Sequence, residues 1–167
     1  PGHTVTIPST QSAYNLTIQN TATLLSNLPL PVASTSIRYI RIEGNTLTTN
    51  GTFGGTADAI GIECWSSVTF SGSGTLSPCR VRPASNLGDI SITFNQNATL
   101  TYTGSAGLGG TALYPENTNN DNITITVNPG KTVTFVDYAN FYTNNTNVNA
   151  NTNTTINING TVNMPGS

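Results

Sequence analysis

Charge is scarce in this chain: 5 Lys or Arg and 7 Asp or Glu among 167 residues, 7% in all, with a formal net charge of −2. No basic run is present to follow a phosphate backbone, which excludes nucleic acid as a partner. Long apolar runs are missing as well. The densest, residues 24–32, is broken by Ser26, Asn27, Pro29 and Pro31, and a membrane span needs about 20 apolar residues. With a single histidine, His3, and two cysteines, no Ser/His/Asp or Cys/His arrangement can be built. Neither a zinc spacing nor a Gly-rich phosphate loop occurs. No cofactor or metal is expected, and the chain does not read as an enzyme.

What remains is Thr, Asn, Ser and Gly interleaved with Val, Ile and Leu, a composition that favours strands. The length suits one domain over residues 1–167 with a real core. The first residue is Pro1 rather than Met, which reads as a removed leader or a trimmed start. Cys64 and Cys79 could close a loop of about 15 residues, worth ~3 kcal/mol if oxidised. A lone disulfide in so polar a chain fits an extracellular location; two buried thiols are the alternative.

One phrase returns along the chain: a short period-2 strand, a polar corner, and a second short strand. It occupies residues 16–24, 40–49, 60–70, 90–102, 123–135 and 156–164. The apolar residues just after each corner, Leu24, Leu47, Val68, Leu100, Val133 and Val162, are spaced by 23, 21, 32, 33 and 29 residues. Repeats of this length with two short strands each are the signature of a solenoid, and a β-sandwich has no reason to repeat one phrase six times. The expected fold is therefore all-β: a single-stranded, right-handed parallel β-helix (β-solenoid) of about six coils. Successive coils lie about 4.8 Å apart, so equivalent residues form columns. Two inward columns are expected: Ile18, Ile42, Ile62, Phe94, Val127, Ile158, and Leu24, Leu47, Val68, Leu100, Val133, Val162.

The phrases Leu-Thr-Ile-Gln-Asn-Thr-Ala-Thr-Leu (16–24) and Ile-Thr-Phe-Asn-Gln-Asn-Ala-Thr-Leu (92–100) resemble those of extracellular right-handed β-helix proteins. That broad group includes pectate-lyase-like enzymes and secreted adhesin passengers. The resemblance covers nearly the whole chain but is one of fold, and it selects no single activity.

Several constellations could carry function. The first residue of each corner, Gln19, Glu43, Glu63, Asn95, Asn128 and Asn159, would form a ladder of amides bonded along the stack. In it Glu43 and Glu63 would stand about 5 Å apart, the separation of a retaining glycosidase pair; alternatively Arg38 or Arg41 simply neutralises them on an exposed corner. Such a glycan site would need Trp65, Tyr114, Tyr138 or Tyr142 beside the carboxylates. The strand after each corner would turn outward Thr23, Thr46, Thr48, Thr69, Thr99, Thr101, Thr132 and Thr134. A flat Thr-x-Thr array looks like the ice-binding face of β-helical antifreeze proteins, although Thr also favours any exposed strand face. Seven Asn-x-Ser/Thr sequons lie at Asn15, Asn50, Asn97, Asn122, Asn144, Asn153 and Asn159, about the number that composition alone would give; in a secreted chain they could carry glycans.

Neither end of the repeat has an amphipathic capping helix or a charged blocking strand, so strand edges are left open. Open ends imply either a longer parent chain or head-to-tail self-association, which propagates as a filament when the rotation does not close. The expected function is an extracellular or cell-surface structural and adhesive protein, a β-helical subunit of a filament or appendage. Ice binding is the second expectation, and a carbohydrate-binding or carbohydrate-cleaving module, with surface glycans as partners, the third.

Overall fold

The structure is a computed structural model and describes residues 3–19, 21–26, 37–55, 59–84, 88–101, 111–113, 122–136, 140–141 and 154–164. Every regular element among them is a strand. The chain begins with Thr4–Ile7 (β1), Gln11–Ala13 (β2), Leu16–Ile18 (β3), Thr23–Ser26 (β4), Arg38–Ile42 (β5) and Thr46–Thr49 (β6). Next come Thr52–Gly54 (β7), Ile60–Cys64 (β8), Val68–Ser71 (β9), Thr75–Ser77 (β10), Arg80–Pro83 (β11) and Ile90–Phe94 (β12). The last are Ala98–Leu100 (β13), Thr111–Leu113 (β14), Ile123–Val127 (β15), Thr132–Phe135 (β16), Asn140–Phe141 (β17), Thr154–Ile158 (β18) and Thr161–Asn163 (β19). Among the described residues no helix is long and apolar enough to cross a membrane.

The strands form four sheets, ordered β1-β4-β7-β10, β17-β14-β11-β8-β5-β2, β18-β15-β12-β9-β6-β3 and β13-β16-β19. In every one of them a strand pairs with the strand three places away in the chain, always in parallel. The first and last sheets meet where the Thr101 N–H reaches the Pro78 carbonyl at 3.4 Å. An arrangement that is all-β and all-parallel among the described residues is compatible with a β-solenoid.

Alternation along each strand decides what is buried. Strands β12, β15 and β16 bury every second residue, and the sheets close on a core that includes Phe53, Phe70, Phe94, Ile42, Leu47, Ile62, Ile92 and Ile125. Phe70 and Phe94 stack in a tilted pair with ring centroids 5.1 Å apart, within the range where aromatic pairs add to area burial.

Nearly all the residues expected to point inward do so, but the expected columns are only partly formed. Phe94, Val127 and Ile158 are level with one another, and so are Val133 and Val162. Elsewhere the register differs: Ile40, not Ile42, faces Ile62, and Ile42 faces Cys64. Ile18 faces Thr49, Leu47 lies between Leu16 and Phe70, Val68 faces Ile92, and Leu100 faces Phe135. The reason lies in the corners. The phrases at 16–24, 90–102, 123–135 and 156–164 leave the β3-to-β18 sheet, whereas those at 40–49 and 60–70 enter it. Different corners carry the same local pattern.

Side-chain oxygens at the corners join one level of strands to the next. Asn15 Oδ1 accepts the N–H groups of Asn45 (3.1 Å) and Thr46 (3.0 Å). Ser67 Oγ takes Ser91 N–H at 2.9 Å, Asn97 Oδ1 takes Thr132 N–H at 2.9 Å, and Asp89 Oδ1 takes Asn122 N–H at 2.8 Å. Bending strands out of their ladder orphans backbone donors, and short polar side chains satisfy them.

Candidate functional site

Strands β5, β8 and β11 lie side by side, and their alternation sorts chemistry onto two faces. Ile40 and Ile42, Ile62 and Cys64, and Val81 and Pro83 are the paired residues on the core side. Between them, on the opposite face, Tyr39, Gly61 and Arg80 are level, and so are Arg41, Glu63 and Arg82. Gly61 is required there: a Cβ would stand 2.7 Å from Cε1 of the Tyr39 ring, so the missing side chain lets the ring lie across the sheet.

Glu63 is the centre of this face. Its Oε2 accepts Arg41 Nε at 2.8 Å and the Trp65 indole Nε1 at 2.7 Å. Its Oε1 accepts Arg82 Nε at 3.1 Å and Nη2 at 2.7 Å. The guanidiniums also stack: Arg41 Cζ lies 5.3 Å from the Trp65 ring centroid, and Arg82 Cζ 4.4 Å from that of Tyr39, both within cation–π reach. Burial by itself would raise the Glu63 carboxyl. The Trp65 and Arg82 hydrogen bonds and the charges of Arg82 and Arg41 outweigh it and hold the carboxyl below its ordinary range. Glu63 is thus ionised and saturated with donors, a poor proton donor. Burial also pushes up the Tyr39 hydroxyl, opposed by the charges of Arg80 and Arg82.

The expected carboxylate pair is not formed. Glu63 lies inside β8 opposite Arg41, while Glu43 follows the end of β5 and is exposed. The two-residue difference between the expected and observed registers of β5 and β8 separates them. The expected corner ladder breaks because the six corners are not equivalent. Gln19, Asn95, Asn128 and Asn159 each follow a strand of the β3-to-β18 sheet, but Glu43 follows β5 and Glu63 is not in a corner. One amide link of the ladder is present, Asn128 Nδ2 to Asn95 Oδ1 at 3.3 Å.

Cys64 and Cys79 are not joined; both are buried thiols. Cys64 is level with Pro83, while the Cys79 N–H bonds the Ile60 carbonyl, four residues before Cys64. That offset is about 13 Å along the strands, beyond the ~7 Å limit for a disulfide between Cα atoms. Burial, then the charge of Glu63, drive the Cys64 thiol far above its ordinary range, which makes it inert.

The threonines expected on one face are divided among three sheets. Thr23 belongs to a column Thr4, Thr23, Thr52, Thr75. Thr99 and Thr134 are level on β13 and β16, with Thr132 beside them, and Thr101 is 1% exposed rather than outward. Thr46, Thr48 and Thr69 lie on the β3-to-β18 sheet, where the register builds a column the sequence reading did not assemble: Thr46, Thr69, Thr93, Thr126, Asn157. Two places away on either side run Thr17, Thr48, Ser71 and Ser91, Thr124, Thr155.

Of the aromatics expected near the carboxylates, Trp65 is beside Glu63 and 39% exposed; Tyr114, Tyr138 and Tyr142 lie outside the described residues, as do the sequon positions Asn144 and Asn153. Asn15, Asn97, Asn122 and Asn159 are exposed and Asn50 is half-buried. His3 is exposed, and no group of three or more His, Cys, Asp or Glu that could hold a metal occurs among the described residues.

A scarcity of charge could have pointed to the Glu63 cluster. The chain's cations are Arg38, Arg41, Arg80, Arg82 and Lys131, so a glutamate within the apolar run 60–64 can be neutralised only from the strands before or after it. Comparison with known proteins finds no matching family model, no similar curated protein and no similar solved structure.

Proposed function

We propose that the chain winds as one right-handed parallel β-helix of about six coils and serves as an extracellular structural and adhesive module. Pairing of each strand with the one three places on supports three strands per turn, and parallel connections favour the right hand. The observation that carries the function is the exposure of core-side residues at both extremes of the stack. Ile158, level with buried Val127, is 53% exposed, and Val5, level with buried Leu24, is 55% exposed. Ile156, on the same strand as Ile158, and Met164, just after β19, are exposed as well. Strand edges with uncovered apolar residues accept further strands, from a second copy stacked head to tail in the same parallel sense or from a longer parent chain that continues the stack. The extracellular reading rests on the Asn/Thr-rich, charge-poor composition; the unjoined cysteines, and sequons no more numerous than composition gives, lend it no support.

Sedimentation and electron microscopy test the stacking. Wild type should form end-to-end assemblies that grow with concentration. Ile156→Asp with Ile158→Asp should leave folded monomers. A wild type that stays monomeric at all concentrations removes the filament reading.

Ice binding is a second reading, favoured by the Thr46, Thr69, Thr93, Thr126 column with its Ser/Thr neighbours, an uncharged and regularly spaced array of hydroxyls and methyls. Thermal hysteresis abolished by Thr93→Tyr with Thr126→Tyr, but kept by Thr134→Tyr on another sheet, supports it. Absence of hysteresis in wild type ends it.

A further inference from the structure

We propose that the face built from Arg41, Glu63, Trp65 and Arg82 binds an acidic polysaccharide, taking a sugar carboxylate on Arg41 and the apolar side of the sugar ring on Trp65. This deepens the adhesive reading by naming a ligand class. It concerns the flank of the stack rather than its ends, so it can fail or succeed independently of filament formation.

Three of the five cations, Arg41, Arg80 and Arg82, lie on this face of β5 and β11, although the chain as a whole has a net charge of −2. Glu63 on the strand between supplies one negative charge, so it cannot neutralise Arg41 and Arg82 together. Nor does it saturate them. Arg41 bonds Glu63 through Nε, which leaves its two terminal nitrogens without a partner among the described residues, and its side chain is 42% exposed. A guanidinium fixed on one edge by a carboxylate and stacked on an indole has already lost most of its rotamer freedom. Its remaining edge is preorganised to take a carboxylate with two parallel hydrogen bonds.

Trp65 supplies the second half of the recognition. Its ring is partly open, and its indole N–H is committed to Glu63, so the ring is held in one orientation and offers apolar surface. An aromatic platform beside a small number of fixed polar groups is the usual composition of a ligand site. A simple anion would use Arg41 but not the ring, and a neutral glycan would use the ring but leave the charge unanswered. A polymer of uronate residues uses both. No bond is made or broken, and the saturated Glu63 carboxylate acts as a positioning group.

The test is binding of folded protein to polygalacturonate, with dextran as the neutral arm and dextran sulfate as the sulfated arm, followed by calorimetry at low and at physiological salt. Wild type should bind polygalacturonate, more weakly as salt rises, and should not bind dextran. Arg41→Gln should weaken binding about tenfold or more, Trp65→Ala should do likewise, and Lys131→Ala, away from this face, should leave it unchanged. Circular dichroism confirms that each variant is folded. The same ranking in the non-stacking Ile156→Asp, Ile158→Asp protein separates this site from the ends of the stack. No polygalacturonate binding by wild type overturns the proposal. So does equal binding of dextran, preference for dextran sulfate with no response to Trp65→Ala, or equal loss in Arg41→Gln and Lys131→Ala.

Discussion

Glu63 shows how a buried charge is tolerated in a chain with few charges. Two arginines and an indole use both carboxylate oxygens, so desolvation is offset by charge-assisted bonds. The consequence for pH follows from its lowered folded pKa. The folded state holds this proton less tightly than the unfolded chain, so the stabilisation is complete above the ordinary glutamate value of about 4.3. It disappears as the pH falls from there through the folded value. Urea midpoints measured from pH 7 down to pH 3 should fall less steeply for Glu63→Gln than for wild type, and Glu63→Gln should cost about 1–3 kcal/mol at pH 7. The cysteines give a second expectation. Unfolded without reductant, the protein should titrate two thiols, and reductant should leave its melting temperature unchanged.

At the scale of elements, period-2 alternation made the strands and their inward residues legible, because alternation is a property of a few adjacent residues. Ile42, Leu47, Phe94 and Val127 are buried as expected. Register was not legible. Ile40 and Ile42 are both isoleucines two places apart, and either could face Ile62 without exposing an apolar group. The choice between them is made by packing across strands, with Arg41 meeting Glu63 only in the observed register. A one-residue slip is forbidden by the core, but a two-residue slip preserves every inward position. A second ambiguity separated Thr23 and Thr99 from Thr46 and Thr69: the phrases at 16–24 and 90–102 leave the β3-to-β18 sheet while those at 40–49 and 60–70 enter it, and the local pattern is the same for both. The asparagine-rich corners were legible as corners, yet their main role is to accept backbone N–H groups rather than to bond one amide to the next. Asn15→Ala should therefore cost about 1 kcal/mol while Asn15→Asp, which keeps the acceptor, costs less. Asn157→Ala on an exposed strand position should stay within about 0.5 kcal/mol, all three read from thermal unfolding.

At the scale of the molecule, each strand leans mainly on the strands three places before and after it, so stability is set between neighbouring levels rather than by one central nucleus. Amide hydrogen exchange should show it as a gradient, with β8, β9, β11 and β12 protected most and β18 and β19 least, since their residues are largely exposed. Uniform protection from one extreme to the other would contradict it. The parallel ladders also give the protein a mechanical grain. Their hydrogen bonds run across the strands, from one level to the next, so a tension applied along that direction loads one ladder at a time and peels the levels apart in sequence. A drag along the strands must shear a whole ladder at once. Such a protein yields gradually when stretched from its two extremes and stiffly resists being dragged sideways.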